Sequence, residues 1–564
     1  MKKYPHSNFL ILVFASLFAV FSLCLPANAQ DFSSAYDLRS VTESNTTVSW
    51  VPSIQNQGYF GDCWTFASAT AMDSDLLQNG MLGAPVSTPP TIAISSWALS
   101  TGNGAPESLV GPNYGGDGNH TWGGFEYQAL GYVTRGEGDW EVPGVNPSNT
   151  NIITTMGGGP VLDSSPVTPS NAFPSVFDNS TPSYIGNLIP PVSQTPAFQA
   201  LGVTLFDQGF SSNVPLPTAT TNGGYVFNLG AADPQVEVIK SALQSYGAVT
   251  TSMNATDYSY FVPVSNGNGT YTENYFNPST QPNNTDHEVS IIGWNDNYTM
   301  TNPNTGVVST GAWLVQNSWG TNAWGNQTVT NNGTFWASYN DAAIGRTGVA
   351  AFQMGSTAGL SPTVLQNELG PLAYANNFID AQGPLGMAQL QSTNVASILT
   401  PTQNGILSAL GIATQVGNIS LTISIYSGWL NGPLGTLLLQ QSVMLGGIGY
   451  EQIALNSDIT LLANDPIAVE LQYGAENAAP IVIGDDGLYG TNYLTVPTGL
   501  SYYNNGTNWV DLSTEVYQAY SGYGSNADGG VLYLKGIMSV PEPSTYALLG
   551  LSALALAVAA RRRA

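Results

Sequence analysis

Three observations in this chain of 564 residues predict an α+β class built as two folded units in series. First, Asp62 precedes a stretch from Cys63 to Gln78 that carries Trp64, Ala67, Ala71 and Leu77 at roughly helical spacing, with Gly80 behind it. That pattern predicts a helix with Asp62 as its N-cap. Second, apolar strand candidates follow, one opening at His287 and one through Trp313, separated by an extended loop from Asn295 to Thr310. Third, beyond residue 376 short strands dominate: Leu421, Ile423 and Ile425 alternate with Thr422, Ser424 and Tyr426, and Ile467, Val469 and Leu471 alternate with Ala468, Glu470 and Gln472. Turn signals such as Asn431-Gly432-Pro433 and Ala463-Asn464-Asp465-Pro466 punctuate them, and an antiparallel sandwich is the simplest architecture.

The two ends frame these units. Met1-Lys2-Lys3, an apolar stretch from Phe9 to Leu23 and Ala27-Asn28-Ala29 form the pattern of an export leader, placed at residues 1–29. Phe21-Ser22-Leu23 lacks the small residue that normally precedes a lipid-modified cysteine, so Cys24 reads as part of the leader. At the other end, residues 539–564 hold Val540-Pro541-Glu542-Pro543-Ser544-Thr545, an apolar run from Tyr546 to Ala560 and Arg561-Arg562-Arg563. That run is shorter than the ~20 residues of a permanent membrane span. Between the ends, residues 30–354 form the motif-rich unit, 355–375 read as a linker around Gly359-Leu360-Ser361-Pro362, and 376–538 form the sandwich. Inside the first unit, 141–230 is rich in Pro, Ser, Thr, Asn and Gly and reads as an insertion of loops and short strands. The formal charge of −26 makes nucleic acid and anionic membrane surfaces poor partners.

Past the leader, Cys63 is the sole cysteine. A lone thiol in an oxidising compartment invites damage, so chemistry is the reason to keep it. In the first turn of a helix it lies near the positive end of the macrodipole, which favours thiolate. A nucleophilic thiol also needs an imidazole, and only His120 and His287 remain. His120 lies in the polar turn Gly118-Asn119-His120-Thr121 and reads as exposed; His287, at the mouth of a strand, is the candidate base. Trp313-Leu314-Val315-Gln316-Asn317-Ser318-Trp319-Gly320 supplies Asn317, an amide placed among tryptophans that could hold one imidazole tautomer. Singly, a strand-end histidine or a turn asparagine is ordinary; the ordered set Cys, His, Asn points to nucleophilic catalysis.

These segments resemble the papain family of cysteine peptidases. The resemblance implies a two-lobed catalytic domain, a helical lobe plus a β-barrel lobe, that hydrolyses peptide bonds through a Cys-His-Asn acyl-enzyme. It assigns Cys63 as nucleophile, His287 as general base and acid, Asn317 as orienting amide and Gln57 as oxyanion donor. It further places Gly123, Gly124, Trp319 and Asp286 around the substrate, and calls for no cofactor or metal. Supporting matches are Tyr36-Asp37-Leu38-Arg39, Gly247-Ala248-Val249 and Gly333-Thr334-Phe335-Trp336. Departures stand beside them: Phe60 replaces a disulfide cysteine, Asp62 brings a negative charge next to the thiol, and few residues separate Ala29 from Tyr36 where an inhibitory pro-segment would lie. His287 also follows Cys63 by 224 positions, against roughly 130–150 in the family, and the 141–230 insertion accounts for the excess.

The second unit resembles the lectin-like module that follows papain-type peptidases in some secreted bacterial proteins, on segments such as Gly405 to Ile412 and Gly449 to Leu455. That implies an exopolysaccharide partner or a plain structural sandwich. Asp485-Asp486-Gly487 reads as a surface turn rather than a calcium loop. The tail resembles the PEP-CTERM sorting signal of Gram-negative bacteria, which implies processing by signal peptidase and exosortase, transient membrane anchoring and an outer-surface or extracellular destination. The expected substrate is a protein or peptide. Two other readings stay open: a non-catalytic surface or matrix adhesion protein on a papain-like scaffold, and a transferase in which an amine replaces water.

Overall fold

The computed structural model describes residues 32–57, 62–82, 93–96, 99, 126–136, 161–162, 197–206, 218–219, 225–226, 229–255, 258–267, 271–277, 285–302, 304–320, 333–357, 362–367, 391–414, 416–474, 479–480, 483–484, 497–514, 516–518, 526–528 and 531–539. The first half holds β1 (Ala35–Asp37), α1 (Cys63–Gln78), α2 (Glu126–Val133), β2 (Phe198–Leu205), α3 (Pro234–Tyr246), β3 (Val249–Met253), β4 (Phe261–Ser265), β5 (Tyr271–Tyr275), β6 (His287–Thr301), β7 (Val308–Gln316), β8 (Thr334–Ser338) and β9 (Ala350–Ser356). The second half holds β10 (Pro362–Leu365), β11 (Asn394–Leu399), β12 (Gly405–Thr414), β13 (Ile419–Trp429), β14 (Pro433–Leu445), β15 (Ile448–Leu461), β16 (Ile467–Tyr473), β17 (Ser501–Asn504), β18 (Trp509–Asp511) and β19 (Leu534–Ser539).

α1 spans the stretch its spacing predicts, and every residue from Cys63 to Leu77 is buried. A helix covered on all sides must satisfy its polar side chains internally. Asp73 accepts the N–H groups of Ala93 and Ile94, and Asp75 accepts that of Met354 at 2.8 Å. Ser74 donates to the Trp50 carbonyl and accepts the Ala248 N–H, which ties the middle of α1 to the start of β3. Gly247 permits this approach: it has φ +79°, and a Cβ there would stand 2.4 Å from the Ser74 hydroxyl. The expected capping does not occur, because the Asp62 side chain makes no cap hydrogen bond. Its backbone carbonyl instead accepts the Thr65 and Phe66 N–H groups.

α1 lies against a seven-stranded sheet ordered β1-β6-β7-β8-β5-β4, with β3 also paired to β6. Across this contact the Ser290 hydroxyl donates to the Ala67 carbonyl. The loop expected from Asn295 to Thr310 is mostly strand: β6 and β7 continue their pairing across an irregularity between Asn295 and Thr299. Only 302–307 turns, where the Asn302 side chain accepts the N–H groups of Asn304 and Thr305. Behind the sheet, buried Lys240 of α3 pairs with Asp296 at 2.7 Å among the rings of Phe32, Trp294 and Tyr339.

The second half forms two six-stranded antiparallel sheets, ordered β9-β2-β15-β12-β19-β10 and β14-β13-β16-β11-β17-β18. Inward residues of both, among them Leu407, Leu410, Leu421, Ile423, Val469 and Leu534, make one aliphatic core. The first of these sheets is shared between the halves. β2 comes from the stretch read as an insertion, and β9 closes the motif-rich unit, yet both are hydrogen-bonded in line with β15. The stretch expected to be a linker contains β10, which pairs with β19. A second core cluster accordingly mixes Trp64 and Met72 of α1 with Phe198, Tyr450 and Tyr533. Among the described residues, no helix is long and apolar enough to cross a membrane.

Candidate active site

β6 begins at His287 and β7 ends at Gln316, so antiparallel pairing brings the start of one beside the end of the other. There His287 Nε2 stands 2.8 Å from Asn317 Oδ1. The Ser318 N–H also donates to Oδ1, at 2.7 Å, which identifies that atom as the amide oxygen. His287 Nε2 therefore carries the hydrogen, and Nδ1 keeps the lone pair. Trp319 stacks on the imidazole with ring centroids 4.5 Å apart, covering the pair from water. Gln57 joins from the opposite chain segment: its N–H donates to the Ser318 carbonyl at 2.7 Å, and its Oε1 accepts the Ser318 hydroxyl at 2.5 Å. With Oε1 held, the Nε2 end of the Gln57 amide is the donor end that faces away from Ser318.

Cys63 approaches from α1. Its sulfur meets the backbone N–H of Glu288, the residue after His287, and the N–H of Trp64. The thiol is free and buried. As the first residue of α1, Cys63 has a backbone N–H that no preceding helical turn can receive. Cys63, His287, Asn317, Gln57 and Trp319 thus share one locality, although 254 positions separate Cys63 from Asn317. Asp286 adjoins it, and its Oδ1 accepts the Ala255 N–H at 2.6 Å. Gly123, Gly124, His120 and Phe60 lie outside the described residues, as do the leader, the tail and Asp485 to Gly487.

Residues 220–340 match the family model described as papain family cysteine protease. Over that stretch the chain carries a papain-family cysteine protease match. The matched stretch contains His287 and Asn317, while Cys63 and Gln57 precede it. Residues 378–521 match the lectin like domain and residues 539–563 the PEP-CTERM protein-sorting motif. The fold is similar to that of the cysteine protease and lectin-like domains of Cwp84, a surface layer associated protein of Clostridium difficile, at 18% identity and TM-score 0.54, covering 91% of this chain and 90% of that one. A clostridial Cwp84 variant after propeptide cleavage is similar at 18% identity and TM-score 0.55, over 90% of this chain and 100% of that one. No curated protein matches the chain.

Burial and the helix start act on the Cys63 thiol in opposite directions. Burial pushes the Cys63 thiol up to about 12, with the Glu288 and Asp62 carboxyls acting in the same direction and the two backbone N–H groups against it. Burial likewise pulls His287 down to about 4, opposed by its Asn317 hydrogen bond and by Asp286. Desolvation thus acts against the charged form of both groups and opposes the helix dipole, whose effect is ordinarily ~0.3–1 kcal/mol. Sequence reasoning missed three neighbours of the site: Ser318, Glu288 and Glu126. Ser318 had a signal, since it lies between Asn317 and Trp319; the two buried glutamates had none, because carboxylates are read by default as exposed.

Proposed function

We propose that the chain is an exported cysteine endopeptidase that works through a Cys63-His287-Asn317 acyl-enzyme, with Gln57 as an oxyanion donor. The observation that carries this reading is the Asn317 carbonyl on His287 Nε2, since it leaves Nδ1 as the basic nitrogen. As the Cys63 sulfur bonds to a substrate carbonyl carbon, its proton passes to Nδ1. The developing oxyanion is held by the Gln57 Nε2–H and the Cys63 N–H. His287 then protonates the departing amine as the C–N bond breaks, and water, deprotonated by the same imidazole, releases the acid and restores the thiol.

In this reading the helices α1 and α2 and the seven-stranded sheet are the two lobes of a cleft, with Asp286, Gly123 and Gly124 along the substrate path. The lectin-like unit places the peptidase on polysaccharide at the outer surface of a Gram-negative cell. Support comes from the lectin-like and sorting-motif matches and from a ring cluster on one sheet, where Trp429 lies 4.8 Å from Trp509 and 5.9 Å from Tyr502 between centroids. Exosortase and signal peptidase are the processing partners. The test is hydrolysis of an unstructured protein substrate by the full chain and by Cys63→Ala. We expect the wild type to cleave and the variant to lose ~10⁴-fold or more in rate; equal rates in two folded proteins would refute the peptidase reading and favour a non-catalytic scaffold.

A further inference from the structure

The amide nitrogen of Asn317 takes no part in the acyl-enzyme chemistry, yet it is as deeply buried as the oxygen that does. Asn317 Oδ1 takes both the His287 Nε2–H, at 2.8 Å, and the Ser318 N–H, at 2.7 Å. The Nδ2 end is shut from solvent and has no hydrogen-bond partner among the described residues. Gln55 Oε1, Gln55 Nε2 and Glu288 Oε1 are in the same condition. These three residues, 2–3% exposed, line one small cavity behind the site, walled also by Phe66 and Thr70 of α1 and by Ser318. Glu288 reaches it because residues two apart on β6 share a face, and Ser290 on that face bonds the Ala67 carbonyl of α1. The cavity offers about 10 Å³ to the centre of a water-sized sphere, which is room for one water.

Each buried polar atom left unpaired costs ~1–3 kcal/mol, and a buried water commonly makes about three hydrogen bonds to such atoms. The polar groups lining this cavity are of that number and of both kinds, an N–H donor on Asn317 and oxygen acceptors on Glu288 and Gln55. We propose that the cavity is a water site, and that Gln55 and Glu288 are positioning residues for His287, holding through one buried water the Asn317 amide that orients the imidazole. What the imidazole then does rests on the peptidase reading; the water site does not. The two hydrogens of the water go to Glu288 Oε1 and Gln55 Oε1, so a lone pair is left for the Asn317 Nδ2–H. An inverted Asn317, with its oxygen towards the water, would find no hydrogen left to accept. The amide oxygen therefore stays on His287 and keeps the lone pair of the ring on Nδ1. Burial pushes the Glu288 carboxyl well above the ordinary carboxylate range, which favours a neutral acid, the form that a single water can satisfy.

The experiment compares Gln55→Leu, Glu288→Leu and Glu288→Gln with wild type in the full chain. Each Leu variant should lower kcat about tenfold with KM within about twofold, the effect of one lost buried hydrogen bond. Glu288→Gln keeps an acceptor and should restore most of the Glu288→Leu loss. In an Asn317→Ala background Gln55→Leu should lower kcat no further, because the group it holds is gone. A loss that persists in that background, or no loss in either Leu variant, overturns the proposal. Heteronuclear NMR of the His287 ring nitrogens at neutral pH reads the same device without peptide hydrolysis. The wild type and Glu288→Gln should hold the hydrogen on Nε2, and the Leu variants should show a mixture of the two tautomers; one unchanged tautomer in all four proteins contradicts the proposal. Should the Leu variants fail to fold, a wild-type crystal structure that resolves ordered water decides: a water bonded to Asn317 Nδ2 supports the site, and a dry cavity refutes it. A chain that shows these tautomers and cleaves nothing would refute the peptidase reading alone.

Discussion

The motif-rich half and the sandwich half are stabilised in different ways. Among the described residues, the buried acids Asp62, Asp73, Asp75, Glu126, Glu273, Glu288 and Asp341 all belong to the first half, while Lys535 is the one buried charged side chain of the second. The core of the second is almost wholly aliphatic, with Tyr473 and Tyr503 as its aromatic members. Burying a carboxyl costs free energy unless it is hydrogen-bonded or protonated, so the first half gives up stability for groups that hold backbone amides. The second half spends its interior on packing. Because strands of the two meet in one sheet, the aliphatic half also steadies the polar one: Tyr533 donates to or accepts from the Thr134 hydroxyl just past α2.

This contrast can be broken at a single residue. Leu421 is fully buried in the sandwich core, and Leu421→Ala should cost ~2–5 kcal/mol in a denaturant titration while the rate per folded molecule stays unchanged. A fall in that rate at saturating substrate would show that the sandwich takes part in catalysis. Gln57→Ala is the converse probe. We expect a loss of ~10²–10³ in kcat with little change in stability, read by steady-state kinetics beside a thermal melt. An unchanged kcat would remove Gln57 from the oxyanion site.

The smallest effect is on pH dependence. His287 has a folded value of about 4, below its ordinary 6.5, so the native state binds fewer protons than the unfolded chain between those values. The contribution is complete above pH 6.5 and is lost as pH falls towards 4. Asp341 runs the other way: raised from 3.8 to about 6, it adds stability in acid that disappears as pH rises through that interval. The stability of wild type relative to His287→Gln should therefore rise with pH between about 4 and 6.5 and be level above it. A difference that is flat with pH would mean that His287 is solvated in the native protein.

How much could be read without coordinates depended on whether the governing interactions were local. α1 was legible because its apolar spacing and the glycine behind it are properties of one short segment, and the sandwich strands around Leu421 and Ile467 were legible from period-two alternation. Cys63, His287 and Asn317 stand out in the sequence through their residue types, their order and the papain resemblance. The role of β2 does not, since its partner β15 lies some 250 positions away and pairing leaves no local signature. The burial of Cys63, which pushes its thiol up, leaves no mark in the sequence because burial of a helix start cannot be seen in the helix itself. Asp62 illustrates the same point: its type favours capping, but its side chain makes no cap hydrogen bond.

The most direct test of the account is intact-mass and peptide-level analysis after treatment with an epoxide that traps papain-type thiols. The wild type should form one adduct, located on Cys63, and His287→Ala should form none although that variant still melts cooperatively. An unmodified Cys63 in folded wild-type protein, or equal labelling with and without His287, would contradict it.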